Sequence, residues 1–189
     1  MTAAAELFRR QGYAATGIKA VLTAAEAPYG SLYHFFPGGK ADLGRAVVEE
    51  GGRTYLELVE VFFPDDADPV EAVGAFFDGA ADVLESTGFA DACPIATIAG
   101  EIADTVEGMR VAAADAFAMW IAALARHLGA QGVDPDVAGD VAIELFCLVE
   151  GAFLLGRTSR SAEPLRVAGR RAQDTVAGAL GGVRSGSGR

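Results

Sequence analysis

Apolar residues recur along almost the whole chain at the three- and four-residue spacing of an amphipathic α-helix. One segment places Ile18, Val21, Leu22 and Ala25 on a single helical face. No segment alternates apolar and polar residues convincingly enough to predict a strand. The pattern therefore predicts an all-α fold, with helices at about 2–11, 16–25, 28–35, 40–63, 69–86, 94–104, 107–130, 135–157 and 164–180.

Residues that start or interrupt helices lie between these segments. Thr16 suits the N-cap of the second helix, and Pro28 suits the start of the third, where its missing N–H costs nothing. "PGGK" at 37–40 predicts a glycine hinge before a long helix, and "PDDADP" at 64–69 predicts a polar linker. Two short helices therefore follow one another with only a tight turn between them.

The helix predicted at 135–157 is apolar on more than one face, because Ile143, Phe146 and Leu154 lie outside its main apolar stripe. Such a helix needs burial nearly all round. A chain of 189 residues cannot easily surround it, so we predict a homodimer in which it pairs with the helix at 164–180 in a four-helix contact. A central core helix in a monomer is the alternative.

Charge is distributed unevenly. The net charge of −11 argues by itself against a nucleic-acid or anionic-membrane partner. Residues 1–53, however, carry six basic and five acidic side chains, so the excess of negative charge lies in the remainder. A near-neutral N-terminal segment precedes an acidic body. The net charge of the chain therefore does not argue against contact between that segment and DNA.

The location predicted from the sequence is the cytoplasm. Cys93 and Cys147 lie far apart, which fits a reducing compartment and predicts two buried side chains rather than a disulfide or zinc site. The sequence shows no run of eighteen uncharged apolar residues and no basic segment followed by an apolar one. We therefore predict neither a membrane span nor a signal peptide.

Cofactor and enzyme motifs do not match. A phosphate loop needs glycine where this chain has His34, and Ser or Thr where it has Ala41. His34 and His127 have no carboxylate or cysteine at a coordinating spacing, and His127 is predicted to be a simple helix-end residue. No set of nucleophile, histidine and acid can be assembled. We predict no metal, no cofactor and no enzyme activity.

The order of the first four helices, with a tight turn and a glycine hinge, is a helix-turn-helix arrangement. "AAELFRRQGYAATGIKAVLTAAEAPYGSLYHFFPGGKADL" resembles the DNA-binding domain of TetR-family transcriptional regulators, densely over 3–47. "GSLYHFFPGGK" resembles the LmrA/YxaF-type branch in particular. "ACPIATIAGE", at 92–101, is similar to the ligand-binding domain of that branch.

The resemblance implies a homodimer whose two N-terminal domains read the half-sites of a palindromic operator. It implies a DNA-binding domain at 1–45 and a ligand-binding and dimerisation domain at 46–181, and we expect a flexible tail at 182–189. The second domain would hold a small, largely apolar effector that releases a repressor from DNA. The fold class so implied is a three-helix helix-turn-helix domain attached to a helical ligand-binding domain.

The resemblance also implies which residues touch DNA. Tyr29, Gly30 and Ser31 would lie near base edges, and Thr16 and Lys40 would contact phosphates. Leu32 and either Phe35 or Phe36 would hold the reading helix on its core. The full predicted DNA-binding set is Thr16, Lys19, Tyr29, Gly30, Ser31, Tyr33, His34 and Lys40.

The predicted effector site is an apolar pocket whose residues would otherwise be core. Glu101, Glu144 and Glu150 lie on the same helices, where a buried carboxylate is costly unless it is paired. A solvated face is the alternative for each of them. The predicted effector-binding set is Phe76, Phe77, Ile95, Ile98, Phe117, Trp120, Phe146, Glu150 and Phe153.

Three features depart from the family pattern. Glu26 stands where glycine is common, and a positive φ there would cost on the order of 1 kcal/mol. Tyr29 replaces a basic or small polar residue, and Met1 falls inside the first predicted helix, where the family has a preceding basic arm. These departures support a second hypothesis, a small-molecule-binding or interaction dimer with weak or lost DNA binding.

Overall fold

The computed structural model describes residues 1–64, 66–90, 93–102 and 106–186, and over these ranges the predicted all-α fold is confirmed. Regular structure in the described residues consists of nine helices. They are α1 Thr2–Gln11, α2 Ile18–Ala24, α3 Tyr29–Phe35, α4 Lys40–Phe62, α5 Pro69–Ser86, α6 Pro94–Ile102, α7 Glu107–Ala130, α8 Pro135–Ser159 and α9 Glu163–Gly186.

Two of the longer helices begin with an aspartate cap followed by proline. The Asp68 carboxylate accepts hydrogen bonds from the backbone N–H groups of Val70 and Glu71, at 2.9 and 3.0 Å. The Asp134 carboxylate likewise accepts from the N–H of Asp136 at 2.9 Å. A proline at the first helical position has no N–H to satisfy, so cap and proline together fix where α5 and α8 start.

Some predicted helix ends differ from those observed. The N-cap of α2 is Gly17, so the prediction that Thr16 caps this helix is wrong. Helix α9 continues to Gly186, beyond the predicted end at 180, and residues 187–189 of the predicted tail lie outside the described residues. Residues 103 and 104, predicted to end the sixth helix, also lie outside them.

The chain divides into two compact units. The first comprises Met1–Thr54 and Asp91–Phe117, and the second comprises Tyr55–Ala90 and Ala118–Arg189. Helices α4 and α7 thus contribute residues to both units, and α6 belongs to the first. This division does not coincide with the predicted domain boundary between residues 45 and 46, and that boundary stays a prediction.

The core of the first unit forms around Phe8, which is completely buried and packs edge-to-face on Tyr13 with ring centroids 5.3 Å apart. Helix α6 contributes three fully buried isoleucines at i, i+3 and i+7, namely Ile95, Ile98 and Ile102. This apolar face fixes α6 within the same core as the helix-turn-helix segment.

In the second unit, helix α9 packs against both α5 and α8. Gly169 lies so close to Phe77 that a Cβ added there would be 2.7 Å from the Phe77 Cβ. Glu144 of α8 accepts a hydrogen bond from the Thr175 hydroxyl of α9 at 2.9 Å. Helix α9 is therefore held to α5 by close packing and to α8 by packing and a polar contact.

The cysteine prediction is half right. Cys93 is buried, as predicted, but Cys147 is exposed on α8, so the prediction of a buried side chain is wrong there. The helical period explains the difference, because Cys147 lies one turn from exposed Ile143 rather than on the buried stripe through Val141 and Leu145.

Among the described helices, α7 is long and apolar enough to cross a membrane on length and composition alone. Its fully buried residues include Met109 and Leu128, and Trp120 is only 2% exposed. The core helix of a protein that is not in a membrane passes the same test, so this finding is weak evidence for a span.

Candidate DNA-binding surface

Helices α2 and α3 are joined by the four residues 25–28. The N–H of Ala27 donates to the carbonyl oxygen of Leu22 at 2.9 Å, and the N–H of Glu26 donates to that of Thr23 at 3.2 Å. Glu26 has a φ of 50°, in the left-handed region that favours glycine. The positive φ anticipated for this residue is therefore confirmed, and the two helices form a helix-turn-helix.

Replacing Glu26 with glycine is expected to raise the free energy of unfolding by about 0.5–1 kcal/mol, because glycine adopts a positive φ without steric cost. Urea unfolding followed by circular dichroism measures the change. Glu57, exposed within α4, provides the matched control. Glu57→Gly should lower the unfolding free energy by about 1 kcal/mol. Destabilisation by Glu26→Gly would contradict the assignment of strain.

The outer face of α3 is exposed and aromatic. Tyr29 is 65% exposed and Tyr33 is 47% exposed, and their ring centroids lie 6.1 Å apart one helical turn from each other. A hydrogen bond between the two hydroxyls raises the pKa of Tyr33. His34 is exposed beside them. This face offers hydroxyl and imidazole groups to an external partner, as the sequence predicts.

The inner face of α3 holds the helix on its core. Leu32 is only 4% exposed, and Phe36 is half-buried, so these two residues match the predicted holding role. Phe35 is 71% exposed, which excludes it from that role. The Ser31 hydroxyl donates to the carbonyl oxygen of Pro28 at 2.6 Å. Its hydrogen is therefore already used in a hydrogen bond at the start of α3.

Gly30 is not required by the packing of the protein. A Cβ added there would meet no described atom within 4 Å, and the residue is exposed in the first turn of a helix. Glycine in a helix is unfavourable by roughly 0.5–1 kcal/mol relative to alanine. Packing among the described residues therefore does not account for a glycine at this position.

The two predicted contacts near α2 differ in exposure. Lys19 is exposed and lies in the first turn of α2. Thr16 is only 1% exposed, and its hydroxyl donates to the carbonyl oxygen of Gly12 at 2.7 Å. The Thr16 hydroxyl thus closes the loop between α1 and α2 from inside, which counts against a direct phosphate contact.

Lys40, at the start of α4, lies against the loop between α1 and α2. Its Nζ is 3.3 Å from the carbonyl oxygen of Ala14 and 4.3 Å from the centroid of the Tyr13 ring. Partial burial lowers the pKa of Lys40, and the negative charge of Glu101 opposes that shift. The ammonium is thereby held at the edge of the helix-turn-helix while remaining partly exposed.

The "PGGK" segment forms a turn rather than a phosphate cradle. Gly39 has a φ of 68°, and its N–H donates to the carbonyl oxygen of Phe36 at 2.8 Å. The N–H of Gly38 donates to the Asp42 carboxylate at 2.7 Å. The N–H of Gly38, which could otherwise bind an anion, is therefore already hydrogen-bonded to an acidic side chain of α4.

Sequence reasoning missed the part that Glu101 plays here. Its Oε2 accepts a hydrogen bond from the N–H of Ala14 at 2.8 Å, across 87 residues of sequence. The sequence predicts for Glu101 either a carboxylate in the effector pocket or one on a solvated face. The contact joins residues far apart in the chain, so no local sequence signal could have revealed it.

The nine predicted effector-binding residues belong to both units. Ile95, Ile98 and Phe117 lie in the first unit, and the other six lie in the second. In the second unit, Trp120 stacks on Phe146 with ring centroids 6.1 Å apart and contacts Tyr55 at 5.8 Å. Four of the nine are buried, namely Phe77, Ile95, Ile98 and Trp120, whereas Phe76, Phe117, Phe146, Glu150 and Phe153 are half-buried.

The second unit contains a cavity of about 500 Å³ near the C-terminal ends of α4 and α7. None of the nine predicted effector-binding residues lines it. His127 lies there, 8% exposed and packed edge-to-face on Phe63 at 5.4 Å, so it is more than a simple helix-end residue. The lining consists of Val59, Glu60, Phe63, Pro64, Ala123, Arg126, His127 and Ala130.

Helix α8 presents an exposed apolar stripe. Ile143 is 48% exposed, Leu154 is 64% exposed, and Leu155 is 60% exposed. Cys147 and Gly151 lie between them and are exposed as well. The prediction that α8 is apolar outside its main stripe is confirmed for Ile143 and Leu154, whereas Leu155, predicted to lie on the main stripe, is exposed instead.

The described residues contain no group of three or more His, Cys, Asp or Glu side chains suited to holding a metal ion. What the first unit presents instead is a helix-turn-helix with an exposed second helix. The fold and this surface define a helix-turn-helix DNA-binding regulator.

Comparison with known proteins agrees. Residues 1–47 match the family model of bacterial regulatory proteins of the TetR family, and residues 69–171 match the C-terminal domain of LmrA/YxaF-like transcriptional regulators. The chain is 33% identical to the HTH-type transcriptional regulator YxaF of Bacillus subtilis, over 86% of this chain and 85% of that protein. It is 28% identical to LmrA of the same organism, over 87% and 88% respectively.

A solved structure gives the same result at the level of the fold. The crystal structure of the reduced form of Escherichia coli NemR superposes with a TM-score of 0.82 at 25% identity, covering 92% of each chain. The chain therefore belongs to the TetR family of transcriptional regulators, in its LmrA/YxaF-like branch.

Proposed function

We propose that this protein is a cytoplasmic, homodimeric repressor that leaves its operator when a small, largely apolar effector binds. The observation that carries the proposal is the face of α3 that Tyr29, Gly30, Tyr33 and His34 share. These residues are exposed, while Leu32 on the opposite face is buried. A short helix fixed from behind and open in front is the geometry that enters a major groove.

Each residue of the DNA-binding set takes a role consistent with its position. Gly30 lets the backbone approach base edges, and the hydroxyl of Tyr33 and the ring of His34 extend toward the sugar-phosphate backbone. Lys19 and Lys40 supply the positive charge that phosphates require. Ser31 contributes through its accepting oxygen, and Thr16 acts indirectly by holding the loop before α2.

The dimer forms through α8 and α9. Two copies of the α8 stripe would bury Ile143, Leu154 and Leu155, side chains that a monomer leaves in water. The exposed face of α9 contains Ala177 and Gly178, whose small size permits close approach of a second helix. This pairing supplies the two-fold symmetry that a palindromic operator matches.

The effector binds among aromatic side chains of the ligand-binding domain. The contacts of Trp120 with Tyr55 and Phe146 support this assignment, because they collect three rings from α4, α7 and α8. Glu150, half-buried on α8, would orient a polar group of the ligand. A relative of the same fold, the transcriptional repressor NemR of Escherichia coli, favours repression here.

The test is selection of DNA by the full-length protein from a pool of random duplexes at low salt, followed by footprinting on the enriched sequence. We expect a palindrome with half-sites one helical turn or a multiple apart. The double variant Tyr33→Ala, His34→Ala should lose the footprint while keeping its helical circular dichroism. No enrichment by the wild-type protein would favour the second hypothesis, a dimer without DNA binding.

A further inference from the structure

One side chain connects α6 to the DNA-binding surface within the first unit. Glu101 accepts a hydrogen bond from the N–H of Ala14 at 2.8 Å, in the loop between α1 and α2. A Cβ added to Gly12, in the same loop, would collide with its other carboxylate oxygen, so the carboxylate occupies the space beside this residue. A single carboxylate of α6 thus lies against both ends of the segment 12–14.

The backbone of Glu101 is fixed by its neighbours. Ile98 and Ile102 lie three residues before it and one after it, and each is at most 1% exposed. A displacement of α6 would have to move these core residues as well. The backbone at Glu101 therefore follows the position of α6, and the hydrogen bond to Ala14 holds the exposed side chain in place.

Ala14 transmits this contact to the DNA-binding surface. Its N–H donates to Glu101, and its carbonyl oxygen accepts from Lys40 Nζ at 3.3 Å. The ring of Tyr13, next in the chain, lies 4.3 Å from the same ammonium. Both groups that hold Lys40 therefore belong to the loop segment that Glu101 contacts.

We propose that Glu101 is a positioning residue for DNA binding, holding the segment 12–14 so that Ala14 and Tyr13 keep the Lys40 ammonium at the phosphate-contacting edge. The role rests on the proposed function, because Lys40 matters in this way only if the protein binds DNA. Glu101 does not itself contact DNA. It acts through the loop and through Lys40.

A purely electrostatic role makes the opposite prediction. A carboxylate near DNA repels phosphates, so its removal would tighten binding whichever residue replaced it. A positioning role requires only that a side-chain oxygen accept the N–H of Ala14. Glutamine keeps that acceptor and removes the charge, whereas alanine removes both. The pair Glu101→Gln and Glu101→Ala therefore separates the two roles.

The experiment measures the Kd of each variant for the duplex that the wild-type protein enriches from a random pool, by fluorescence anisotropy at fixed salt. We expect Glu101→Ala to weaken binding about tenfold, the effect of losing one charge-assisted contact. Glu101→Gln should stay within about threefold of the wild type or bind more tightly. Hydrogen exchange at the Ala14 amide should accelerate in the alanine variant and stay slow in the glutamine variant.

A double-mutant cycle shows whether Lys40 is the target. Lys40→Met should weaken binding and reduce the salt slope by about one unit per lost phosphate contact. In that background Glu101→Ala should cost no further affinity, because the ammonium that it positions is gone. Equal additive losses would overturn the proposal.

The remaining outcomes are also distinct. If the wild-type protein enriches no sequence, the proposed function fails. If it enriches a palindrome but Glu101→Ala binds as tightly as the wild type, the positioning role alone is wrong. Equal weakening by both Glu101 variants would mean that the attraction between the carboxylate and the Lys40 ammonium, rather than the hydrogen-bond acceptor, matters, which likewise overturns the role.

Discussion

The variant Gly30→Leu is expected to lose operator binding by roughly a thousandfold while folding more stably than the wild type. The face of α3 that we propose enters the major groove could not come within contact distance of base edges once a four-carbon side chain projects from it. Loss of about 2 kcal/mol per reading helix, the value of one good base contact, amounts to about 4 kcal/mol for a dimer. Electrophoretic mobility shift with the selected duplex measures it.

The stability half of this prediction rests on the empty space around Gly30. No described atom lies within 4 Å of an added Cβ, so a larger side chain is accommodated outside the protein. The helix itself gains, since leucine is a far better helix former than glycine. The unfolding free energy should therefore rise by roughly 0.5–1 kcal/mol.

Gly129 provides the matched control. It also lies in a helix with nothing within 4 Å of an added Cβ, but near the end of α7, away from the helix-turn-helix in sequence. Gly129→Leu should leave the operator Kd unchanged. If Gly30→Leu bound the operator as tightly as this control, α3 would not be the helix that enters the groove.

The variant Leu154→Lys is expected to convert the dimer into a monomer at micromolar concentration. Leu154 is 64% exposed on the α8 stripe, and in a two-fold contact each copy would bury an ammonium without a partner. Two such charges weaken association by several kcal/mol, or about a thousandfold or more. Sedimentation velocity reports the change directly, and operator affinity should fall with it.

Val61→Lys tests whether any new lysine on an exposed apolar site has this effect. Val61 is 71% exposed in the last turn of α4, so the side chains are comparably open to solvent. This variant should remain dimeric and bind the operator normally. Ile143→Lys, on the same stripe as Leu154, should reproduce the monomer. A dimeric Leu154→Lys protein would remove α8 from the interface.

Local signals in the sequence were enough to predict the helices. The spacing of apolar residues predicted all nine helices, and aspartate caps followed by proline account for the observed starts of α5 and α8. The positive φ of Glu26 was indicated by the resemblance, because glycine is common at this position in the family. Each of these features is decided by neighbours within a few residues.

The errors occurred where a choice between similar neighbours depended on the tertiary fold. Thr16 and Gly17 both suit a helix start, and burial of the Thr16 hydroxyl against Gly12 decided between them. Phe35 and Phe36 were not distinguished by spacing, because α3 is only two turns long. The contact of Glu101 with Ala14 joins residues 87 positions apart, which no local pattern encodes.

The chain contains only two lysines, Lys19 and Lys40, and both belong to the predicted DNA-binding set. A reagent that acylates lysine side chains therefore modifies this protein only at the surface proposed to meet phosphate. The lowered pKa of Lys40 leaves a larger fraction of its amine uncharged and nucleophilic at a given pH. Acetylation there removes a positive charge from the proposed contact surface, and no other surface of the protein is open to modification through lysine.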